Sequence, residues 1–392
     1  MKRPSRFGAL LLLASSACSE KAEPPPGPRE PACGVASIAS GAMHTCMVLK
    51  TGGLRCWGAN TSGQLGDETT ANLPTLPTAD VLSGVSAVAA GGNHTCALMT
   101  GGGVRCWGAN AGGQLGDGTT TPTWTPPAAD VLTGVSALAA GDAHTCALMK
   151  TGGVRCWGAN DKGQLGDGTT TARSTPPAAD VLTGVSSISA GGTHTCAVMK
   201  SGGVRCWGDN FFGQVGDGTT QDVPAPPATD VFAAASAISA GFSHTCVRTA
   251  AGGARCWGGN GNGELGTGTY DQHLEPPAMD VLGDVANVLA SFHYTCALTD
   301  AGGVRCWGYN GDGQIGDETE LAVDRLAPAS DDVLGGVRAI TLGAAHVCAL
   351  MTTGGLRCWG ANDSGQLGND RAPERSMTPP TSDLAGLDDG CP

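Results

Sequence analysis

Phenylalanine and tyrosine are nearly missing from this chain, with six and three residues among 392. A core of many large aromatic rings is therefore excluded, and the few rings present stand out. Charge is thin as well: 15 % of residues are Asp, Glu, Lys or Arg, 35 acidic against 22 basic. The formal net charge of −13 disfavours nonspecific attachment to nucleic acid or to anionic lipid. Beyond the first 18 residues no apolar run has the length of a membrane-crossing helix. No nucleophile with its base, phosphate-cradling loop or paired-carboxylate site stands at a unique position. These absences lower the case for catalysis and point to a chain that binds, with no cofactor or metal expected.

What the chain has is glycine (63 residues) and cysteine (17 residues). Fourteen of the cysteines belong to one unit that occurs seven times, typified by His94-Thr95-Cys96-Ala97-Leu98-Met99-Thr100, three glycines, then Val104-Arg105-Cys106-Trp107-Gly108. The first cysteine falls at 46, 96, 146, 196, 246, 296 and 348, and its partner ten residues later. A fifty-residue period of short apolar runs and glycine turns is the signature of a repeat array, and of a β-propeller in particular. Residues 125–158 divide into four short strands, 125–132, 135–140, 144–149 and 154–158, followed by a crossover rich in Gly, Asn and Asp. The expectation is an all-β, seven-bladed propeller of four-stranded antiparallel blades. The first unit lacks its first strand, and residues 378–387 supply one with no blade after it. The C-terminal strand is therefore expected to complete the first blade and close the ring, removing exposed sheet edges.

Cysteines ten residues apart across a glycine turn should face each other on neighbouring strands, at the short end of disulfide range. This pairs Cys46 with Cys56, Cys96 with Cys106, Cys146 with Cys156, Cys196 with Cys206, Cys246 with Cys256, Cys296 with Cys306 and Cys348 with Cys358. Cys33 and Cys391 flank the seam and are expected to pair with each other. So regular a use of cysteine implies an oxidising compartment. The competing reading is zinc held by His94, Cys96 and Cys106; seven identical zinc sites are the weaker idea.

The motifs Ala-Ala-Gly-x-x-His-Thr and Val-Arg-Cys-Trp-Gly-x-Asn-x-x-Gly-Gln-Leu-Gly resemble the repeat of the regulator of chromosome condensation family, over about residues 33–391. The resemblance implies a seven-bladed propeller; the cysteine pair in each blade departs from the family pattern. It also raises guanine-nucleotide exchange, which in that family uses a loop inserted in one blade. The uniform blades here argue against it. A bacterial propeller inhibitor of β-lactamases is similar in its repeats and uses one face. A hydrolase of envelope sugars has no residue set behind it.

Lys2, Arg3 and Arg6 precede a short apolar run ending in Ser15-Ser16-Ala17-Cys18. This reads as a secretion signal resembling that of bacterial lipoproteins, with Ser15 where leucine is usual. Residues 1–18 are then the signal, with Cys18 the lipidated first mature residue. Residues 19–32 are a Pro-rich tether, and 33–392 the propeller. The expected product is a monomer, exported and lipid-anchored at the outer membrane or cell surface, touching the membrane only through its lipid. Its partner is an unidentified protein or envelope macromolecule, not nucleic acid.

Residues that recur in every blade read as architecture. This applies to the histidines at 44, 94, 144, 194, 244 and 346, each expected to bond a nearby backbone group. It applies equally to the seven motif tryptophans, and to the aspartates of the crossover as turn caps rather than calcium ligands. Recognition is then sought in what does not repeat. The Gly-x-x-His loops and the crossovers share one face of the ring. Phe211, Phe212, Phe242, Tyr270, Phe292, Tyr294 and Tyr309 lie in or beside those loops and form the candidate binding rim.

Overall fold

The chain is described by a computed structural model, which covers residues 34–318 and 323–384. Cys18, the tether and the proposed pair of Cys33 and Cys391 lie outside the described residues. The described chain is all-β: twenty-one strands form seven three-stranded antiparallel sheets. The first sheet comprises β1 (Val35–Ser40), β2 (His44–Leu49) and β3 (Leu54–Gly58). The second begins at β4 (Val85–Ala90), and the seventh ends at β21 (Leu356–Gly360). The middle and third strands are buried almost throughout; the first strand of each sheet is half-exposed and lines a central channel.

The register places Cys46 opposite Cys56 and Thr45 opposite Trp57. All seven motif cysteine pairs are bonded, with Cα atoms 4.0–4.1 Å apart. Disulfide bonding occupies the sulfurs that the zinc reading needed as thiolates.

Each sheet packs its disulfide face against the tryptophan of the next. Cys46, Val48, Leu54, Cys56 and Leu65 of one blade surround Trp107 and Ala97 of its neighbour. The motif tryptophans are wholly buried. Trp107 Nε1 donates to the Gln64 carbonyl at 3.1 Å, which settles its one polar group. Gly66 must be glycine for this contact, because a Cβ there would come within 2.6 Å of that indole nitrogen.

The first of the four expected strands, residues 125–132 in the typical unit, is not a strand, whereas the expected fourth is one, Val154–Gly158. Residues 125–132 make only two bonds of ladder type, Val131 N to Val104 O and Val104 N to Leu132 O. They lie on the sheet before them, not on the one that follows. Pro126 and Pro127 remove donors that a fourth strand would need; the segment also carries an ion pair to the sheet, Arg105 Nε to Asp130 Oδ1 at 2.7 Å. The same strap recurs on all seven sheets, from Arg55 with Asp80 to Arg357 with Asp383. The turn at Thr133 and Gly134 thus carries the chain from the outer edge of one sheet to the inner strand of the next.

The same pattern corrects the expected closure. Leu384 N donates to Leu356 O at 2.8 Å, and Asp383 pairs with Arg357. The described C-terminal segment therefore completes the seventh sheet, its immediate predecessor, and not the first. The first and seventh sheets meet as the other pairs do, Trp57 Nε1 donating to Gln366 O at 3.0 Å, and Ser40 N also donates to Thr341 Oγ1 at 2.8 Å.

Candidate functional site

Around the channel runs a chain of side-chain hydrogen bonds. His44 Nε2 meets Thr95 Oγ1 of the next blade at 3.0 Å, and His94, His144, His194 and His244 repeat the contact at 2.9–3.0 Å. His346 reaches Thr45 at 2.9 Å, across the first-to-last junction. The partner is thus a side chain of the neighbouring blade, not the nearby backbone group expected. Thr95 Oγ1 donates to Gln64 O at 2.8 Å. Its oxygen must then accept from His44, so the imidazole carries its proton on Nε2. Burial holds His44, His144, His194 and His346 down to about pKa 3, and His94 and His244 to about 4. Neutral, buried and engaged in packing, these histidines are blade joints and not acid–base groups.

One junction breaks the chain. Tyr294 replaces histidine and Val347 replaces threonine. The Tyr294 hydroxyl reaches two carbonyls of the next blade, Gly343 O at 2.9 Å and His346 O at 2.7 Å. Tyr294 is fully buried among Leu342 and Val347. It is therefore removed from the candidate rim: its position is the joint position, where every side chain turns inward between blades.

The aspartates of the crossovers cap their turns. Asp67 Oδ1 accepts from Thr69 N at 3.1 Å and from Thr69 Oγ1 at 2.9 Å, and Asp117, Asp167 and Asp217 do the same. Asp317 accepts from Arg325 Nε at 2.8 Å.

The channel has a volume of about 370 Å³ and is lined mainly by small residues of the inner strands. Its mouth is formed by the Gly-x-x-His loops, which present Ala42, Gly92, Asp142, Gly192, Phe242, Phe292 and others. Phe242 and Phe292 stack there, ring centroids 5.0 Å apart and planes at 20°. Phe242 lies over Gly192, where a Cβ would come within 2.8 Å of the ring. His293 completes the corner, 6.1 Å from Phe242 and 6.5 Å from Phe292. Behind it is Glu264, the one acidic residue in a position otherwise held by glutamine. Its buried carboxylate is 3.6 Å from His293 Nδ1 and accepts from Asn262 N at 2.8 Å. Burial opposes its charge, but His293, His244 and Asn262 together hold it below the usual carboxylate range.

Phe211 and Phe212 are exposed on a crossover and meet edge to face at 4.9 Å, as a separate pair. Tyr270 is exposed on the next crossover, and Tyr309 is half-buried, its amide bonded to His293 O at 2.9 Å. Phe242 and Phe292 thus meet at one corner, with the backbone of Tyr309 bonded beside them, while Phe211, Phe212 and Tyr270 stand apart on crossovers. Asp142, Glu264 and His293 were not among the sequence candidates. Their signal was substitution at a repeat position, visible once the seven units are aligned.

With this geometry in place, the comparisons with known proteins are specific. A family model described as the RCC1-like domain matches residues 6–330, and one for the regulator of chromosome condensation (RCC1) repeat matches 337–366. No curated protein matches the chain. Among solved structures, human WBSCR16 is similar at 23 % identity and a TM-score of 0.71, over 82 % of this chain and 92 % of that one. Yeast RCC1 (Prp20), solved bound to Kap60, is similar at 19 % identity and a TM-score of 0.72, over 88 % of this chain and 83 % of that one. Identities this low show a shared fold and nothing further.

Proposed function

The chain belongs to the RCC1-like domain family, and from that premise we propose that it is an extracytoplasmic binding scaffold rather than an enzyme. In this reading Cys18 carries a lipid, the tether spaces the propeller from the membrane, and the monomeric ring offers one face to a protein or other macromolecule. Seven buried disulfides support export to an oxidising compartment. The observation that carries the binding reading is the stacked pair of Phe242 and Phe292 at the channel mouth. Phe242 is 39 % exposed. In a chain so poor in aromatics, rings left in water on one rim are the mark of an interface centre. Other proteins of the fold have protein partners: yeast RCC1 is bound to Kap60, and Prp20p has binding properties to Gsp1p and histones. These partners are not carried over; they support only that the fold presents surfaces to proteins.

The test is affinity capture from envelope extract, with the intact chain and a variant carrying Phe211, Phe212, Phe242 and Phe292 changed to Ser. Capture of one partner by the parent and its loss in an equally folded variant is the expected result. Turnover of an envelope glycan by the purified protein would overturn the scaffold reading. Tight inhibition of a β-lactamase, lost in the same variant, would assign the face to enzyme inhibition.

A further inference from the structure

Three features of the channel mouth depart from the repeat: the Phe242 and Phe292 stack, the ring of His293 beside it, and Asp142. The seven mouth loops are equivalent, so Asp142 on the third blade stands at the position of Phe242 on the fifth and Phe292 on the sixth. Its carboxylate lies over Gly92, where a Cβ would come within 2.1 Å of it. Among the described residues that line the channel, Asp142 is the only charged one. It has no ion-pair partner among the described residues. An open mouth with phenyl rings on one side, a carboxylate on the other and no cation is complementary to a positive charge.

We infer that this mouth receives a lysine or arginine side chain presented by a basic segment of a protein partner. This rests on the reading of the mouth as an interface and adds the chemistry of what enters it. The cation sits against the outer face of one ring of the stacked pair, attracted by its negative ring face. Asp142 supplies the countercharge from across the opening. The net charge of −13 draws a basic segment toward the chain from a distance. A channel of about 370 Å³ lined by small residues accepts a side chain better than a folded surface.

The experiment is selection of a displayed random heptapeptide library on the full chain. Selected peptides are then measured as synthetic fluorescent ligands on the parent, on Asp142→Asn and on the double variant Phe242→Ser with Phe292→Ser. The expected peptides carry Lys or Arg at one recurring position. Replacing that residue by norleucine, or Asp142 by Asn, weakens binding about tenfold, and raised salt weakens it further. Loss in the phenylalanine variant shows that the mouth is the site. Peptides that need the phenylalanines but lack a basic residue would overturn the cation inference and leave the scaffold reading standing. Peptides indifferent to the phenylalanines, or no selected peptide at all, would overturn both. Thermal unfolding of each variant checks that the ring is intact; Asp142→Asn is isosteric on a loop and should leave it unchanged.

Discussion

His44 gives its Nε2 proton to Thr95 of the next blade, and Thr95 passes its own to the Gln64 carbonyl that also receives Trp107. Two residues of one blade, His44 and Gln64, and two of the next, Thr95 and Trp107, are thus locked into one polar relay inside an apolar seam. Thr95→Val removes both functions of the hydroxyl and leaves a buried imidazole donor unmet, so it should destabilise the chain by about 1–3 kcal/mol. The molecule already holds the compensated form, Tyr294 with Val347. The double variant His44→Tyr with Thr95→Val should therefore be more stable than the sum of its parts. A double-mutant cycle by urea unfolding measures this, and strict additivity would show that the relay is not a coupled unit.

The six joint histidines stay neutral in the fold down to about pH 3 or 4. The unfolded chain binds the same protons below about pH 6.5. In that window the unfolded state holds more protons, so stability falls as pH falls. Each histidine withdraws about 1.4 kcal/mol per pH unit, and six acting together make the fall steep. The melting temperature should be flat above about pH 7 and drop sharply between about 6 and 4 by calorimetry. A melting temperature unchanged across that interval would contradict the neutral, buried joints.

The strap gives a contrast between charge and shape. The Arg105 and Asp130 side chains are partly exposed, so Asp130→Asn should cost less than about 1 kcal/mol. Gly103 is different: a Cβ there would come within 2.0 Å of the Asp130 carboxylate. Gly103→Ala should push the strap off β6 (Val104–Gly108) and cost about 1–3 kcal/mol. Chemical denaturation of the two variants ranks the effects, and the reverse order would mean that the ion pair holds the strap.

Replacing both members of one disulfide, Cys196→Ala with Cys206→Ala, opens a loop whose ends are ten residues apart. The loss should be about 2–3 kcal/mol by loop entropy. The variant should remain folded, since Trp207 and Trp257 still close the two seams beside it. Denaturant midpoints of oxidised parent and variant provide the comparison.

The fold was legible because its signal was repeated: period, cysteine register and glycine turns each recur with every blade. The outer strap was misread because residues 125–132 carry strand-like composition, while sheet membership depends on which edge is free. That edge belongs to the preceding blade, whose Arg105 reaches Asp130, and a single unit gives no sign of it. The joint histidines were recognised as architecture, but their partner lies 51 residues away, beyond any local reading. Tyr294 was placed on the rim because aromatic scarcity drew attention to every ring. Its position within the repeat, where histidine otherwise stands, was the better guide. Asp142 and Glu264 are obscure in the sequence for the opposite reason: single acidic substitutions in an acidic chain have no contrast until the blades are superposed.

Amide hydrogen exchange on the complex with a captured partner tests the central claim most directly. New protection at residues 241–243 and 291–293, with none at the glycine turns of the opposite face, is the predicted result. Protection confined to turns such as residues 50–53 and 150–153, with the phenylalanine loops exchanging as in the free chain, would contradict it.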